Sequence, residues 1–238
     1  MSRMRRITVS PVLKGLLSAL CKIDIHEYLA ALDEQKAKYG NDCFIIAINH
    51  INFLEVPILV AFSHPRKVTG LVQQKAWGNP VMAFIFNTYD AIPLNREGAY
   101  LHTFRNVQDI LKAGFHVCIA PEGTRSSTGI LAQGKEGIVQ LAYITGAPVL
   151  PIGHFGGQSF WENFKHFRKT PFTMKAGKPF HFKFDKDEAG KRKKPSRETM
   201  STMTEELMGQ IARLLPEQMR GFYAEEALKV PQHLDFLE

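Results

Sequence analysis

The stretch Cys43-Phe-Ile-Ile-Ala-Ile-Asn-His50-Ile-Asn-Phe-Leu-Glu55 carries an apolar run directly into a polar pair. Residues 43–48 are few, rich in isoleucine and bounded by polar residues on both sides, which predicts a buried strand. Pro57 is tolerated in a first helical turn but breaks a helix interior, so a helix is expected to begin near Glu55. His50 is therefore predicted to lie in a strand-to-helix turn at the mouth of a sheet.

His50 and Glu55 can meet only if the chain bends between them. At about 100° per residue, positions five apart on one helix are separated by about 140°, so the two side chains cannot share a helical face. Across a bend, the carboxylate can fix the imidazole tautomer and leave the second ring nitrogen free to take a proton. The alternative is a capping-box-like pair of Asn52 and Glu55, with His50 as an ordinary polar turn residue.

Apolar strands and amphipathic helices alternate along the rest of the chain. This order predicts an α/β fold with a mixed, largely parallel central sheet flanked by helices. The predicted strands cover residues 23–25, 43–48, 67–72, 90–94, 116–120, 147–152, 172–176 and 180–184. The predicted helices cover residues 28–39, 55–62, 77–86, 97–112 and 137–145, and a last one begins near residue 197.

The N-terminus combines arginines with an apolar segment. Arg3, Arg5 and Arg6 precede residues 11–20, which Lys14 interrupts, and no small-x-small cleavage site follows. This pattern favours an amphipathic helix at a membrane surface over a signal peptide. We therefore divide the 238 residues into an N-terminal helix, 1–22, and one domain, 23–238. No stretch approaches the roughly 18 apolar residues of a spanning helix.

The chain is basic, with a net charge of +7. The excess of basic over acidic residues is concentrated between residues 165 and 194, which contain eleven basic residues and three acidic ones. Such a charge favours an anionic partner, which can be phosphate, nucleic acid or an acidic membrane. The lysine-rich run 191–194 is either a solvated loop or a membrane contact. Nucleic-acid binding rests on charge alone, since no recognisable motif supports it, and no Gly-x-Ser-x-Gly elbow indicates a serine hydrolase.

Two further polar clusters follow predicted strands, where an open α/β sheet places its ligand crevice. The first, Ile92-Pro-Leu-Asn-Arg96, places a guanidinium just past a strand. The second is Ala120-Pro-Glu-Gly-Thr-Arg-Ser126, in which the glycine allows close backbone approach, the glutamate can accept from a hydroxyl and the arginine can bind phosphate oxygens. Together with His50 they supply a base, cations and a hydroxyl acceptor, which suits acylation of an alcohol that carries a phosphate.

At this point the sequence resembles the glycerolipid acyltransferases, especially the 1-acylglycerol-3-phosphate acyltransferases. The resemblance covers roughly residues 40–185 and rests on four blocks in the family's order. These are Asn49-His50-x4-Glu55, Pro93-Leu-Asn-Arg96, Pro121-Glu-Gly-Thr-Arg-Ser126 and Val149-Leu-Pro-Ile152.

The resemblance implies a role for each matching residue. His50, oriented by Glu55, is implied to be the general base that deprotonates the glycerol hydroxyl for attack on an acyl thioester. Arg96 is implied to hold the phosphate, with Arg125 and Lys75 as further phosphate contacts. Glu122, Gly123 and Thr124 are implied to help seat the glycerol phosphate. Pro151 is implied to shape the pocket.

The resemblance also implies the partners and the location. The acyl donor is a thioester of coenzyme A or acyl carrier protein, the acceptor is lysophosphatidic acid, and neither a cofactor nor a metal is implied. Such a protein lies peripherally on an anionic membrane surface, at the cytoplasmic face of the cell membrane. No nucleic acid is expected as a partner.

One residue departs from the family pattern. The family's first block ends in aspartate, whereas this chain has Glu55, one methylene longer. A misplacement of about an ångström can cost roughly a hundredfold in rate. The alternatives are therefore a tolerated variant, an acyltransferase for another lysolipid acceptor, or a catalytically weak lipid-binding protein at the membrane surface.

Overall fold

The computed structural model describes residues 2–39, 43–94 and 100–238. Within these residues, the helices are α1 Ser2–Leu20, α2 His26–Tyr39, α3 Glu55–Ser63, α4 Pro80–Thr88, α5 Tyr100–Lys112, α6 Gly137–Thr145, α7 Phe160–Lys165 and α8 Arg197–Arg213. The strands are β1 Cys21–Asp24, β2 Ile45–Ile48, β3 Val68–Gln73, β4 Ile92–Leu94, β5 His116–Ile119, β6 Val149–Gly156, β7 Thr170–Ala176, β8 Phe180–Phe182 and β9 Leu234–Phe236.

The strands form one mixed sheet in the order β1-β7-β6-β2-β5-β3-β4, and β8 extends it by pairing with β6 and β9. Five of the eight pairings between described strands are parallel. The three antiparallel pairings join β6 to β7, β6 to β8 and β8 to β9. The predicted α/β class and the largely parallel sheet are confirmed.

Helices cover both faces of the sheet over two separate cores. One core contains Leu17 of α1, Tyr28 of α2, Ile58 of α3 and Ile85 of α4, packed on Ile46 of β2. Because side chains alternate along a strand, the neighbouring positions of β2 enter the other core. That second core holds α5, α6 and α8. We call the α1–α4 side, which also carries α7, the front layer.

Helix α1 is anchored in the front layer by polar contacts. The buried Arg6 donates to the carbonyl of Thr88 at 3.2 Å and pairs with Asp90 at 2.6 Å. The hydroxyls of Ser10 and Tyr89 are 2.7 Å apart. The predicted N-terminal helix is therefore confirmed. Across the described ranges, no helix is both long enough and apolar enough to cross a bilayer.

The predicted helix over residues 77–86 is divided in two. Its N-terminal part forms a 3₁₀ turn, Gln74–Gly78, and α4 begins only at Pro80. Asn79 caps α4, because its side chain accepts from the amides of Val81 at 3.0 Å and Met82 at 3.1 Å. Our sequence analysis assigned no structure to α7 or β9. Residues 40–42 and 95–99, which include the predicted start of α5, lie outside the described residues.

Candidate active site

Two adjacent strands bring two histidines together in the front layer. Strands β2 and β6 are parallel and pair Ile48 with Ile152, two side chains of the front core. His50 and His154 each follow two residues later, and two residues along a strand return a side chain to the same face. Both imidazoles therefore lie on the front face, at the end of this parallel pairing.

Glu55, in the first turn of α3, contacts both rings. Its Oε1 pairs with Nδ1 of His50, and its Oε2 lies 2.7 Å from Nε2 of His154. Oε2 also accepts from the amide of Ile51 at 3.2 Å. The Glu55 side chain is only 5% exposed, so three groups share one buried carboxylate. The predicted pairing of His50 with Glu55 is present in the structure.

The bend between His50 and Glu55 is made by an Asx turn rather than a capping box. Asn52 Oδ1 accepts from the amide of Leu54 at 2.9 Å, while the Asn52 amide group donates to the carbonyl of Gly156 at 3.3 Å. Asparagine readily forms such turns because its short side chain reaches the backbone two residues on. The turn reverses the chain and points the first residue of α3 back at the histidines.

His154 is held rigidly behind Glu55. It is fully buried, and its ring stacks on Phe172 with centroids 5.4 Å apart. Its backbone amide donates to Asn49 Oδ1 at 2.7 Å, and its carbonyl accepts from Asn49 Nδ2 at 2.9 Å. Asn49 thus continues the contact between β2 and β6 through its side chain. The backbone bonds and the stacked ring thus place the imidazole beside Glu55.

The electrostatic balance keeps Glu55 ionised. Burial by itself raises the pKa of this carboxyl, because desolvation disfavours the charged form. The attraction of His154 and the hydrogen bonds of both imidazoles outweigh burial and lower the pKa to about 2. An ionised carboxylate only accepts hydrogen bonds, so His50 presents its N–H at Nδ1. In the neutral ring, Nε2 of His50 is then the unprotonated nitrogen.

Glu122 holds the loop around His50. It is 1% exposed, and its two oxygens accept from backbone amides, that of His50 at 2.6 Å and that of Ala132 at 2.8 Å. Burial raises the pKa of its carboxyl despite these bonds. Both of its oxygens accept from backbone amides, and the side chain does not line the cavity described next, so its role in seating the substrate stays a prediction.

A cavity of about 1390 Å³ opens beside His50. It exceeds the roughly 300–1,000 Å³ typical of small-ligand sites, so it has room for more than a glycerol phosphate. Part of its wall is apolar and comes from α3 and α4. Those wall residues are Val56, Leu59, Val60, Val81, Met82, Ile85 and Phe86.

Cations and a glycine turn form the polar part of the cavity wall. Three exposed basic residues line it: Lys75, Arg125 and Lys135. Among the described residues, none of the three forms an ion pair with an acid. Gly123, with φ near +68°, and Thr124 also line the cavity, and the Gly123 carbonyl accepts from Gln73 Nε2 at 2.9 Å. This part of the wall suits an anionic ligand.

One predicted site residue, Pro151, lies away from the cavity. Pro151 is buried in β6, one position from Leu150 and Ile152 of the front core, and so points to the opposite face. It contacts the region of Gly177 and does not line the cavity, so any effect on the cavity passes through the strand. Arg96 lies outside the described residues, and its role in binding phosphate stays a prediction.

His154, Asn49 and Lys135 were not assigned roles by sequence reasoning. His154 could have been found by aligning the apolar runs 45–48 and 149–152 as neighbouring parallel strands, because each has a histidine two residues beyond its end. The roles of Asn49 and Glu122 depend on which backbone groups face them, and sequence pattern does not reveal that.

Comparison with known proteins gives one consistent family. The family model described as Acyltransferase matches residues 24–154. The chain is similar to a 1-acyl-sn-glycerol-3-phosphate acyltransferase of Bacillus subtilis, with 28% identity over 171 residues, which is 72% of this chain and 80% of that protein. It is also similar to a 1-acyl-sn-glycerol-3-phosphate acyltransferase of Cocos nucifera, with 24% identity over 60% of this chain and 47% of that protein.

A solved structure shares the fold. The crystal structure of the 1-acyl-sn-glycerophosphate (LPA) acyltransferase from Thermotoga maritima superposes with a TM-score of 0.57 and 18% identity. The match covers 95% of this chain and 81% of that chain. At this identity the likeness concerns the fold alone.

The shared carboxylate predicts a specific dependence of stability on pH. The folded pKa of Glu55 lies below the unfolded value of about 4.3, so its stabilisation is present above that pH and is lost as pH falls toward 2. Urea unfolding should show the wild-type advantage over Glu55→Gln shrinking by roughly 3 kcal/mol between about pH 5 and pH 2.

Glu188→Gln, at an exposed loop carboxylate, is the matched control and should show no such change. A wild-type advantage over Glu55→Gln that stays constant across this range would contradict the ionised, doubly paired carboxylate.

Proposed function

The chain belongs to the acyltransferase family, and from this premise we propose that it transfers a fatty acyl chain from a thioester of coenzyme A or acyl carrier protein to the free hydroxyl of lysophosphatidic acid, giving phosphatidic acid. The observation that carries the proposal is the position of His50. Its Nδ1 faces Glu55 while its ring lines a large cavity with an apolar wall and a cationic part. The site thus combines a proton acceptor with space for an acyl chain and with cations that can bind a phosphate.

The proposed reaction is a direct transfer. Nε2 of His50 takes the proton of the acceptor hydroxyl as the hydroxyl oxygen forms a bond to the thioester carbonyl carbon. The resulting tetrahedral intermediate collapses by breaking the carbon–sulfur bond, and the imidazolium returns the proton to the leaving thiolate. The ionised Glu55 stabilises the imidazolium between these two events. The step needs no covalent acyl-enzyme.

The cavity wall supports a division of the substrates. Apolar side chains of α3 and α4 suit the acyl chain, because burying apolar surface is favourable. Lys75, Arg125 and Lys135 suit the acceptor phosphate, since cations and phosphate oxygens form strong charge-assisted hydrogen bonds. Arg96 remains part of the proposal through the resemblance alone. The geometry of the cavity does not distinguish coenzyme A from acyl carrier protein as the thioester carrier.

The rival function, a catalytically weak lipid-binding protein, was suggested by Glu55 in place of aspartate. The position of Glu55 supports the enzyme instead, because the longer side chain contacts His50 and a second imidazole at once. An acyltransferase for another lysolipid remains the second candidate, favoured by the exposure of the three cations, which allows other anionic headgroups.

The proposal includes a membrane setting. We propose that the protein binds peripherally to an anionic membrane surface at the cytoplasmic face, where both lipid substrates are available. The exposed apolar side chains of α1 support contact with a membrane. The basic loop 186–194 is exposed and closed by a bridge between Lys186 and Arg192, and its contact with lipid stays a prediction.

Replacing the base should remove most of the turnover. His50→Gln should lower turnover by about two to four orders of magnitude, which is the usual contribution of a general base. The assay measures thiol release from a long-chain acyl-CoA with and without lysophosphatidic acid. His26→Gln, at an exposed position of α2, should leave turnover unchanged. A loss below about fivefold in His50→Gln would remove His50 from this role.

Replacing a cation should weaken the use of phosphorylated acceptors selectively. Arg125→Gln should raise KM for lysophosphatidic acid by about tenfold, because a hydrogen bond to a charged group is lost. The KM for an unphosphorylated monoacylglycerol should change little. Arg105→Gln, on the exposed side of α5, serves as the control. Equal increases of KM for the two acceptors would contradict phosphate binding by Arg125.

A further inference from the structure

Exposed large apolar side chains are concentrated on the front layer. Of the fourteen such residues in the described chain, nine belong to α1, α4, and α7 with the turn that follows it. Scattered apolar residues are normal on a protein surface, but a concentration on one side indicates an interaction site. The front layer also forms part of the cavity wall, through α3, α4 and Trp161.

The strongest part of this concentration is the segment 160–169, Phe-Trp-Glu-Asn-Phe-Lys-His-Phe-Arg-Lys. Trp161 is 62% exposed, Phe164 is 51% exposed and Phe167 is completely exposed. Phe167 also has φ near +54°, a backbone conformation that non-glycine residues seldom adopt. Folding gains nothing from a phenylalanine held in water in this conformation, so the side chain is better explained by a partner.

The charge of this segment indicates the kind of partner. Exposed Lys165, Arg168 and Lys169 surround Phe167, and Glu162 is the one acid among residues 160–169. Aromatic and basic side chains together are typical of segments that lie at the headgroup level of anionic bilayers. An acidic protein surface would pair with the cations but would leave the fully exposed phenylalanine without an apolar partner.

The segment adjoins both the cavity and α1. Trp161 stacks on Phe53 with ring centroids 5.5 Å apart, and both residues line the cavity. Lys169 Nζ donates to the carbonyl of Ser18 in α1 at 2.7 Å, which joins the segment to the exposed apolar side of that helix. A membrane that contacts the segment therefore also contacts the edge of the cavity.

We propose that residues 160–169 insert into the interface of an anionic bilayer and place the cavity mouth, at Trp161 and Phe53, against the lipid. A lysolipid would then reach the cavity from the membrane without crossing water. The identity of that lipid rests on the proposed function, whereas the membrane contact itself does not. The partner is the lipid surface itself, and the contact is made by α7 and the turn after it in addition to α1.

The first test is binding to vesicles by flotation. Phe167→Asn removes the aromatic ring, and asparagine tolerates positive φ, so the fold should be retained. Partitioning onto phosphatidylcholine vesicles that contain phosphatidylglycerol should fall by about tenfold, since a large apolar side chain no longer leaves water. Phe222→Asn is the matched control, at a phenylalanine that is 71% exposed but lies beside the rear core.

Two results of this test would overturn the proposal. One is equal partitioning of the wild type and Phe167→Asn. The other is a loss of binding to acidic acyl carrier protein in Phe167→Asn while vesicle binding is unchanged, which would assign the segment to a protein partner.

A second test follows the segment directly by fluorescence. The chain has two tryptophans, so Trp77→Phe leaves Trp161 as the reporter. Its emission should shift to the blue when anionic vesicles are added and should be quenched by brominated lipid acyl chains. Emission that is unchanged by vesicles to which the protein binds would overturn insertion of this segment.

Activity separates this proposal from the proposed function. Phe167→Asn should lose turnover with acceptor embedded in vesicles and keep it with a short-chain acceptor dispersed as monomers. If Phe167→Asn loses vesicle binding and the wild type acylates neither form of the acceptor, the membrane contact is supported and the proposed acyltransferase function is refuted. If Phe167→Asn acylates both forms of the acceptor at wild-type rates, the proposed acyltransferase function is supported and the membrane contact of residues 160–169 is refuted.

Discussion

The structure of the site depends on one shared carboxylate. Glu55 lies in the first turn of α3, buried between two imidazoles from adjacent strands, and an unpaired charge in that position would be costly. The two imidazoles hold the charge in place, and the charge in turn fixes the orientation of His50. One carboxylate thus contacts both rings through its two oxygens.

The fold could largely be predicted, because the front and rear cores impose simple patterns on the sequence. Strand β2 and helix α3 lie close to their predicted bounds, since apolar periodicity and Pro57 determine them locally. The helix predicted over 77–86 was divided because the Asn79 cap provided a better start than the apolar pattern indicated. Helix α7 escaped prediction because its exposed aromatic residues follow no burial pattern, which is the property that suggests a membrane-facing role.

The site was predicted in part. The structure pairs His50 with Glu55 and places Lys75, Gly123, Thr124 and Arg125 around one cavity, while their roles stay predictions. The position of His154 depends on which strands are neighbours and in which register, a long-range property that local pattern does not specify. The bonds of Glu122 to the His50 and Ala132 amides could not be predicted for a similar reason, because sequence pattern does not show which backbone groups face a carboxylate.

A double-mutant cycle on turnover would show whether Glu55 and His154 act as one unit to position His50. His154→Leu removes the second imidazole at similar size, and Glu55→Gln removes the charge it contacts. If they do, His154→Leu should lower turnover by about tenfold or more in the wild type but by less than about twofold in Glu55→Gln. His154→Gln, which can still donate to the carboxylate, should recover much of the loss. Equal losses from His154→Leu in both backgrounds would contradict the account, because His154 would then act by packing alone.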